Sequence, residues 1–254
     1  KSLESCLNKE KLKLVVVDNE STQKSKQDLL KIKKNSSLSI EILNFSTNKY
    51  YWSGAKLALD KYLNIDNNFD WIIICNNDII FDDINIFKNL LNLNEHKHGI
   101  IAPKIKSNIS GKDLNPFMIN PISITEDMYY QLYYSNFFIS TIVHKIGRVI
   151  KKAIMLINSK KMKRKKIIYA PHGSCVIFSK NYFSKGGFLD TGFTMYGEEI
   201  SIAEISKKIN SPVYYMPSLS LVHNEHQSTS KSSLKDNFIH SKKSYYYLKK
   251  KYRS

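Results

Sequence analysis

The feature that most constrains this 254-residue chain is a five-residue run, Trp71 to Cys75 (WIIIC), apolar throughout and stopped by Asn76-Asn77-Asp78. A strand with one wet face alternates polar and apolar side chains, whereas an unbroken apolar run has to be covered on both faces. Such a strand belongs at the centre of a sheet with a layer on either side. The neighbouring segments agree. Leu12 to Val17 (LKLVVV) is a β-branched run ending in the polar turn Asp18-Asn19-Glu20-Ser21, and Ser39 to Phe45 alternates as a half-buried strand. Between them, Gln23 to Lys34 reads as a lysine-rich surface helix. Ser53 can cap a helix through Ala55, Ala58, Leu59 and Tyr62. Asp83 can cap the next, with Ile84, Phe87, Leu90 and Leu91 turned inward, and Gly99 to Ala102 is another short strand.

Strands alternating with helices predict βαβ units and a largely parallel sheet, hence an α/β fold. Right-handed crossovers place the polar strand ends, Asp18 and Asn76–Asp78, along one edge, where open α/β sheets bind ligands. Residues 104–125, with Gly111, Pro116 and Pro121, read as irregular. A long helical pattern with room for one break runs from Glu126 to Asn158. Ser174 to Ser179 is a strand, Gly186-Gly187-Phe188 a tight turn and Glu198 to Ile209 a helix. Val213 to Met216 and Leu219 to His223 are two closing strands, followed by a basic helix from Asp236.

The net charge of +17 is concentrated in two places. Residues 145–166 carry 10 basic and no acidic side chains, and residues 231–254 carry 8 basic and one acidic, Asp236, which together account for the whole excess. A uniformly basic nucleic-acid binder is patterned differently, and no nucleic-acid-binding module is visible. The 3 cysteines form no C-x-x-C pair, so neither a disulfide framework nor a cysteine zinc site is supported, and a reducing cytosolic setting fits. The longest uncharged stretch, Met128 to Val143, is interrupted by polar side chains and falls short of the ~20 apolar residues of a membrane span. No signal peptide opens this numbering.

Three constellations could carry chemistry. Asn76 and Asp78, two apart at a strand end, can point the same way and offer oxygen ligands suited to Mg²⁺ or Mn²⁺; an Asn/Asp turn uses the same residues. Glu198-Glu199 lies at a helix start, where acids are favoured in any case, and either could serve as a general base. His223 ends an apolar strand; a lone histidine there is as readily a hydrogen-bonder as a ligand, and His226 adds no strong zinc spacing.

The order of these pieces says more than any one of them. The chain runs DNES (18–21), NND (76–78), HGS (172–174), KGGFLD (185–190), F-x-x-YGEE (193–199) and HNEHQS (223–228). This series resembles the family 2 inverting glycosyltransferases, most of all those building bacterial capsule, O-antigen and related polysaccharides. The resemblance covers residues 1–230 and implies a GT-A-like, mostly parallel central sheet flanked by helices. Residues 104–166 would be a helical, basic, acceptor-side insertion and residues 231–254 a basic C-terminal tail. It implies a nucleotide-sugar donor, UDP- or dTDP-linked, a glycan or polyprenyl-diphosphate-linked acceptor, and Mn²⁺ or Mg²⁺ as cofactor.

By the same resemblance Asp18 contacts the nucleobase, Asn48 and Gly54 to Lys56 approach the donor, and Asn76, Asn77 and Asp78 stand for the D-x-D signature. Asp78 and His223 would lie on the metal, and Glu199 or Glu198 would be the base. The chain departs from the family pattern at Asn76, Lys56 and Glu199, where an aspartate, an asparagine and an aspartate are usual. The family's first strand, expected upstream of a stretch like Ser2–Leu7, has no counterpart in this numbering and is expected in a longer chain.

The stripe Phe138, Ile142, Ile146, Val149 and Ala153, interleaved with Lys145, Arg148, Lys151 and Lys152, suits a helix in an anionic membrane interface, hence a cytoplasmic protein peripheral on the inner face of the membrane. A hairpin packed on the body is the plainer alternative. Tyr245-Tyr246-Tyr247 among lysines could stack on bases, anchor at an interface or simply pack. A nucleotidyltransferase on a similar sheet would need a glycine-rich phosphate loop, and none is visible.

Overall fold

The computed structural model describes residues 1–65, 69–143, 164–225 and 233–253. Its α/β architecture comprises β1 (Lys13–Asn19), α1 (Gln23–Asn35), β2 (Ser39–Phe45), α2 (Tyr51–Ile65), β3 (Trp71–Cys75), β4 (Ile79–Ile80), α3 (Ile86–Leu91), β5 (Ile100–Ser107), α4 (Ile124–Tyr133), β6 (Lys166–Ile168), β7 (Cys175–Ser179), α5 (Lys180–Ser184), α6 (Glu198–Lys208), β8 (Val213–His223) and α7 (Leu234–Tyr252). The first two strands pair in parallel as a two-stranded sheet. The larger sheet has the order β3-β7-β5-β8-β4, with β6 also on β8. The central sheet flanked by helices stands as expected. Its pairings are mixed: β5 and β8 run parallel, while β3, β4 and β6 join antiparallel neighbours.

β3 has the expected bounds, and its apolar run is explained by two separate cores. On one face Ile74, Ile100, Val176, Phe178 and Val213 pack with Trp52 and Leu59 of α2, Ile202 and Ile205 of α6 and Leu248 of α7. On the other, Cys175, Ile177, Ile101 and Leu221 meet Cys6, Phe81 and, from α3, Ile86, Phe87 and Leu90. At ~25 cal/mol per Å² of apolar area, a strand filling two cores contributes roughly twice what a one-sided strand can.

Several expectations shift. Helix α2 begins at Tyr51, so Ser53 lies inside it and is not its cap. Asp83 is not the cap: the helix starts at Ile86 behind Asn85, Asp83 Oδ1 instead accepts from Asn85 N in the turn before it, and Ile84 is left exposed. Residues 104–107 extend β5 despite Pro103, and β8 runs unbroken past Pro217. The β5/β8 register shifts between Pro103 and Lys104, where Met216 and Ser220 are the successive partners. That bulge lets two residues without an N–H sit in one sheet. The helical pattern from Glu126 appears as α4 and a further helical stretch over 137–143; Ile146, Val149, Ala153 and the basic run 145–163 lie outside the described residues, as does His226. No described helix is long and apolar enough to cross a membrane.

The described part of the basic C-terminal segment, residues 233–253, is built into the body. α7 buries Phe238, Ser244, Tyr245 and Leu248, and ties Tyr245, Lys249 and Arg253 to Asp127 of α4.

Candidate active site

The strand β3 ends at Cys75, and Asn76 to Ile79 form a turn closed by Ile79 N donating to Asn76 O. Period-two alternation therefore does not govern Asn76 and Asp78. Asp78 is placed by the sheet: Ile79 stands opposite His223 on β8, and Asn224 N donates to Asp78 O. The Asp78 Oδ1 and His223 Nε2 are then 3.1 Å apart, both side chains nearly buried. His223 Nδ1 has no hydrogen-bond partner, and Glu225 Oε1 lies 4.0 Å away.

Beside His223 lies His172, ring centroids 6.1 Å apart and edge to face. Its Nδ1 accepts from Ser174 Oγ at 2.8 Å, and its backbone N donates to Asn115 Oδ1, also at 2.8 Å. Asn115 is buried and also donates from Nδ2 to Pro103 O, which fixes the HGS segment to β5. Burial, and then the neighbouring His223, push the His172 imidazole down to about 4, so it is neutral at physiological pH.

The next residue, Gly173, carries the contact to the glutamates. Its N donates to Glu199 Oε1 at 3.2 Å, and its carbonyl accepts from Tyr51 Oη at 3.0 Å. A Cβ on Gly173 would fall 2.7 Å from Glu198 Cγ and 2.8 Å from Glu199 Oε1, so only glycine admits the pair. Both glutamates open α6 behind Gly197, whose N donates to Glu198 Oε2 at 2.9 Å. Burial raises both carboxyls. For Glu199 burial is joined by the adjacent Glu198, and the group is pushed up to about 8. A carboxyl held so close to neutrality is what proton transfer from a hydroxyl calls for.

Tyr51 links this cluster to the end of β1. Asn19 Nδ2 donates to Tyr50 O, Asn19 Oδ1 accepts from Lys49 N, and Gly54 lets α2 approach Asn19 and Val17. Asp18 is buried there, with Oδ1 accepting from Ser21 N, Lys26 Nζ 3.9 Å from Oδ2, and no hydrogen bond to Oδ2. Asn76 joins the cluster through its N, which donates to Ser174 O. Asn77 is exposed, Asn48 caps Tyr50 N with its own Oδ1, and Lys56 pairs with Asp60 one turn along α2. Of the residues singled out from sequence, Asp78, His223, Glu198, Glu199 and Asn76 thus converge. Asn48, Asn77 and Lys56 lie on the rim or turn away. The sequence reading assigned no role to His172, Gly173, Tyr51 or Asn115; the HGS tripeptide was the only signal for the first two.

No three His, Cys, Asp or Glu side chains among the described residues cluster as a complete cation site. Asp78 and His223 do fit a lighter one. They offer a carboxylate oxygen beside an imidazole nitrogen, and Mg²⁺-type ions are commonly held by one or two carboxylates plus substrate phosphates.

The glycosyl transferase family 2 model matches residues 1–186. The chain belongs to that family. The match includes Asp18, the 76–78 turn and the HGS segment; the Glu pair and His223 lie past it and are joined to it by the contacts above. Among solved structures, the crystal structure of GalNAc-T7 with UDP, GalNAc and Mn²⁺ is similar at a TM-score of 0.54 and 11% identity, over 85% of this chain and 38% of that one. The chain thus spans about two-fifths of that protein's length, and the likeness is one of fold. No curated protein sequence matches it.

Proposed function

We propose that this family 2 chain transfers a sugar from a nucleotide-sugar donor to an acceptor hydroxyl, with inversion at the anomeric carbon. The observation that carries the reading is the continuous path from Asp78 through His223, His172 and Gly173 to Glu199, which gathers four separated motifs into one cluster. Asp78 and His223 would hold Mn²⁺ or Mg²⁺; a divalent ion there supplies charge neutralisation for the departing diphosphate. Asp18 sits at the donor-side strand end with one carboxylate oxygen that has no hydrogen bond and only the long Lys26 contact, which supports a contact to the nucleobase. Glu199 takes the acceptor proton as the hydroxyl attacks from the face opposite the leaving group, and Glu198 tunes it. One displacement suffices, with no covalent sugar intermediate.

We further propose a UDP- or dTDP-linked donor and a glycan or polyprenyl-diphosphate-linked acceptor, in bacterial capsule or O-antigen-type synthesis. The motif order supports the bacterial class, and the UDP bound in the GalNAc-T7 structure supports a uridine donor. A cytoplasmic, membrane-peripheral site is supported by an exposed apolar stripe on α4 and residues 137–143, where Ile124 is 82% and Phe138 72% exposed. Strong sedimentation with anionic vesicles at low salt is expected; its absence removes the membrane proposal. Tyr245 and Tyr247 are committed to Asp127 and Asp190, which leaves little of a base-stacking platform and favours the enzymatic reading over nucleic-acid binding.

The test is incubation of the protein with a panel of nucleotide sugars and Mn²⁺. Slow donor hydrolysis, abolished by Asp78→Ala, is expected. Turnover unaffected by that substitution would overturn the metal assignment. Full transfer by Glu199→Gln would move the base elsewhere.

A further inference from the structure

The segment that delivers the glutamate pair, residues 190–197, is gripped by α7 at nearly every position. Asp190 accepts from Tyr247 Oη at 2.8 Å, Lys251 Nζ at 3.0 Å and Tyr252 Oη at 2.6 Å. Gly192 lies so close to Tyr247 that a Cβ would fall 2.0 Å from its ring. Thr194 Oγ1 bonds His240 Nδ1 at 2.7 Å, Met195 O accepts from Ser244 Oγ at 2.5 Å, and Tyr196 Oη donates to Asn237 Oδ1 at 2.8 Å. The gripping residues Asn237, His240 and Ser244 follow one another by three and four, so they form a single stripe along the helix. His240 also meets the Tyr50 ring, centroids 6.0 Å apart, at the donor-side start of α2.

Two further features show that this stripe does more than fill space. Ser244 is fully buried in mid-helix and spends its hydroxyl on a carbonyl of the loop, not on its own helix. Tyr196, two residues before Glu198, has φ = 63°, a conformation that non-glycine residues hold only when their surroundings enforce it.

We propose that Asn237 and Ser244 of α7 are positioning residues, which hold Tyr196 and Met195 so that the following glutamates reach Gly173 and the acceptor. Since α7 lies beyond the matched family region, the base would be aimed by an element that the family match does not contain. The inference rests on the transferase reading above, and its test separates the two.

In the full-length protein, Asn237→Leu removes the acceptor of Tyr196 Oη and Ser244→Ala the donor to Met195 O. Displacement of a base by a fraction of an ångström up to 1 Å costs up to about 100-fold in rate. We expect kcat for transfer to fall tenfold or more in each variant while the donor KM and nucleoside-diphosphate binding stay within twofold, and Asn237→Asp, which keeps an acceptor oxygen, to recover most of kcat. Amide hydrogen exchange over residues 194–199 should quicken in both variants, a readout that needs no donor. If Ser244→Ala does not fold, the half-exposed Asn237 decides. Wild-type kcat or unchanged exchange at 194–199 in Asn237→Leu overturns the inference, with the transferase reading intact so long as Glu199→Gln is inactive. Full transfer by Glu199→Gln moves the base elsewhere and overturns the inference with it; absence of transfer or donor hydrolysis by the wild type with every nucleotide sugar overturns the transferase reading, and the exchange result then stands by itself as a structural finding.

Discussion

The two acidic centres of the cluster are built by opposite means. Asp78 is set by the sheet itself: a turn after β3, the pairing of Ile79 with His223, and a histidine within hydrogen-bonding distance. It is a charge given a partner. Glu198 and Glu199 are adjacent like charges, drawn out of water and answered by backbone N–H groups of Gly173 and Gly197. Their environment favours the proton. The first arrangement suits holding a cation against phosphate, the second accepting a proton at the right moment. Strand pairing fixes a carboxylate rigidly, and burial of like charges makes a carboxyl's hold on its proton tunable.

Substitutions that act on one centre and spare the other test this contrast. The largest effect is expected for Asp78→Ala: loss of metal-stimulated turnover by a factor of about 1,000 or more, together with weakened Mn²⁺-dependent donor binding, as read by thermal shift. Gly173→Ala should strike only the other side, since its Cβ collides with both glutamates. Transfer should fall about 100-fold while donor binding survives; equal loss of both would mean the centres are not separable.

The pH profile is the next lever. Since the Glu199 carboxyl is pushed up to about 8, kcat/KM should rise with pH through that region as the base ionises. Glu198→Gln removes the like charge, so Glu199 should ionise more readily and the limb should move to lower pH. A limb that stays put would show that burial alone sets it. The smallest effect concerns stability. A carboxyl raised in the folded state and ordinary in the unfolded one gives the fold extra protons between about 4.5 and 8, so stability is lost as pH climbs through that window. Glu199→Gln has no proton to lose and should melt higher than wild type at pH 8.5 and about equal to it near pH 4.

Much of the frame was legible because local patterning and burial agree there. β2 and β3 have the bounds read from alternation and from an unbroken apolar run, and α1 differs from its reading by one residue. The turn at Gly186 and the largely irregular run 108–123 stand as read, whereas residues 104–107 extend β5 and the two strands read on either side of Pro217 are one. Pro103 and Pro217 are absorbed by a paired bulge, which a single segment cannot reveal. Cys75 and Cys175, 100 residues apart, are register partners at the end of β3, both free thiols. Their distance along the chain said nothing about their distance in space.

The site divides in the same way. Asp78, His223 and the glutamates could be named from motif order, and Asp78 and His223 also because short polar segments after apolar strands mark the ligand edge of such a sheet. His172, Asn115 and Tyr51 could not, since each acts through a hydrogen bond to a residue more than 20 positions away. The C-terminal helix is the clearest case. By itself the chain determined a basic helix from Asp236, two residues inside the start observed at Leu234. Only tertiary structure decided that Lys249 and Arg253 would meet Asp127, that Lys251 would meet Asp190, and that Ser244 would face Met195. Helix periodicity is a local property of the backbone, whereas the partner of a charge or a hydroxyl is chosen by packing, which balances every other contact at once.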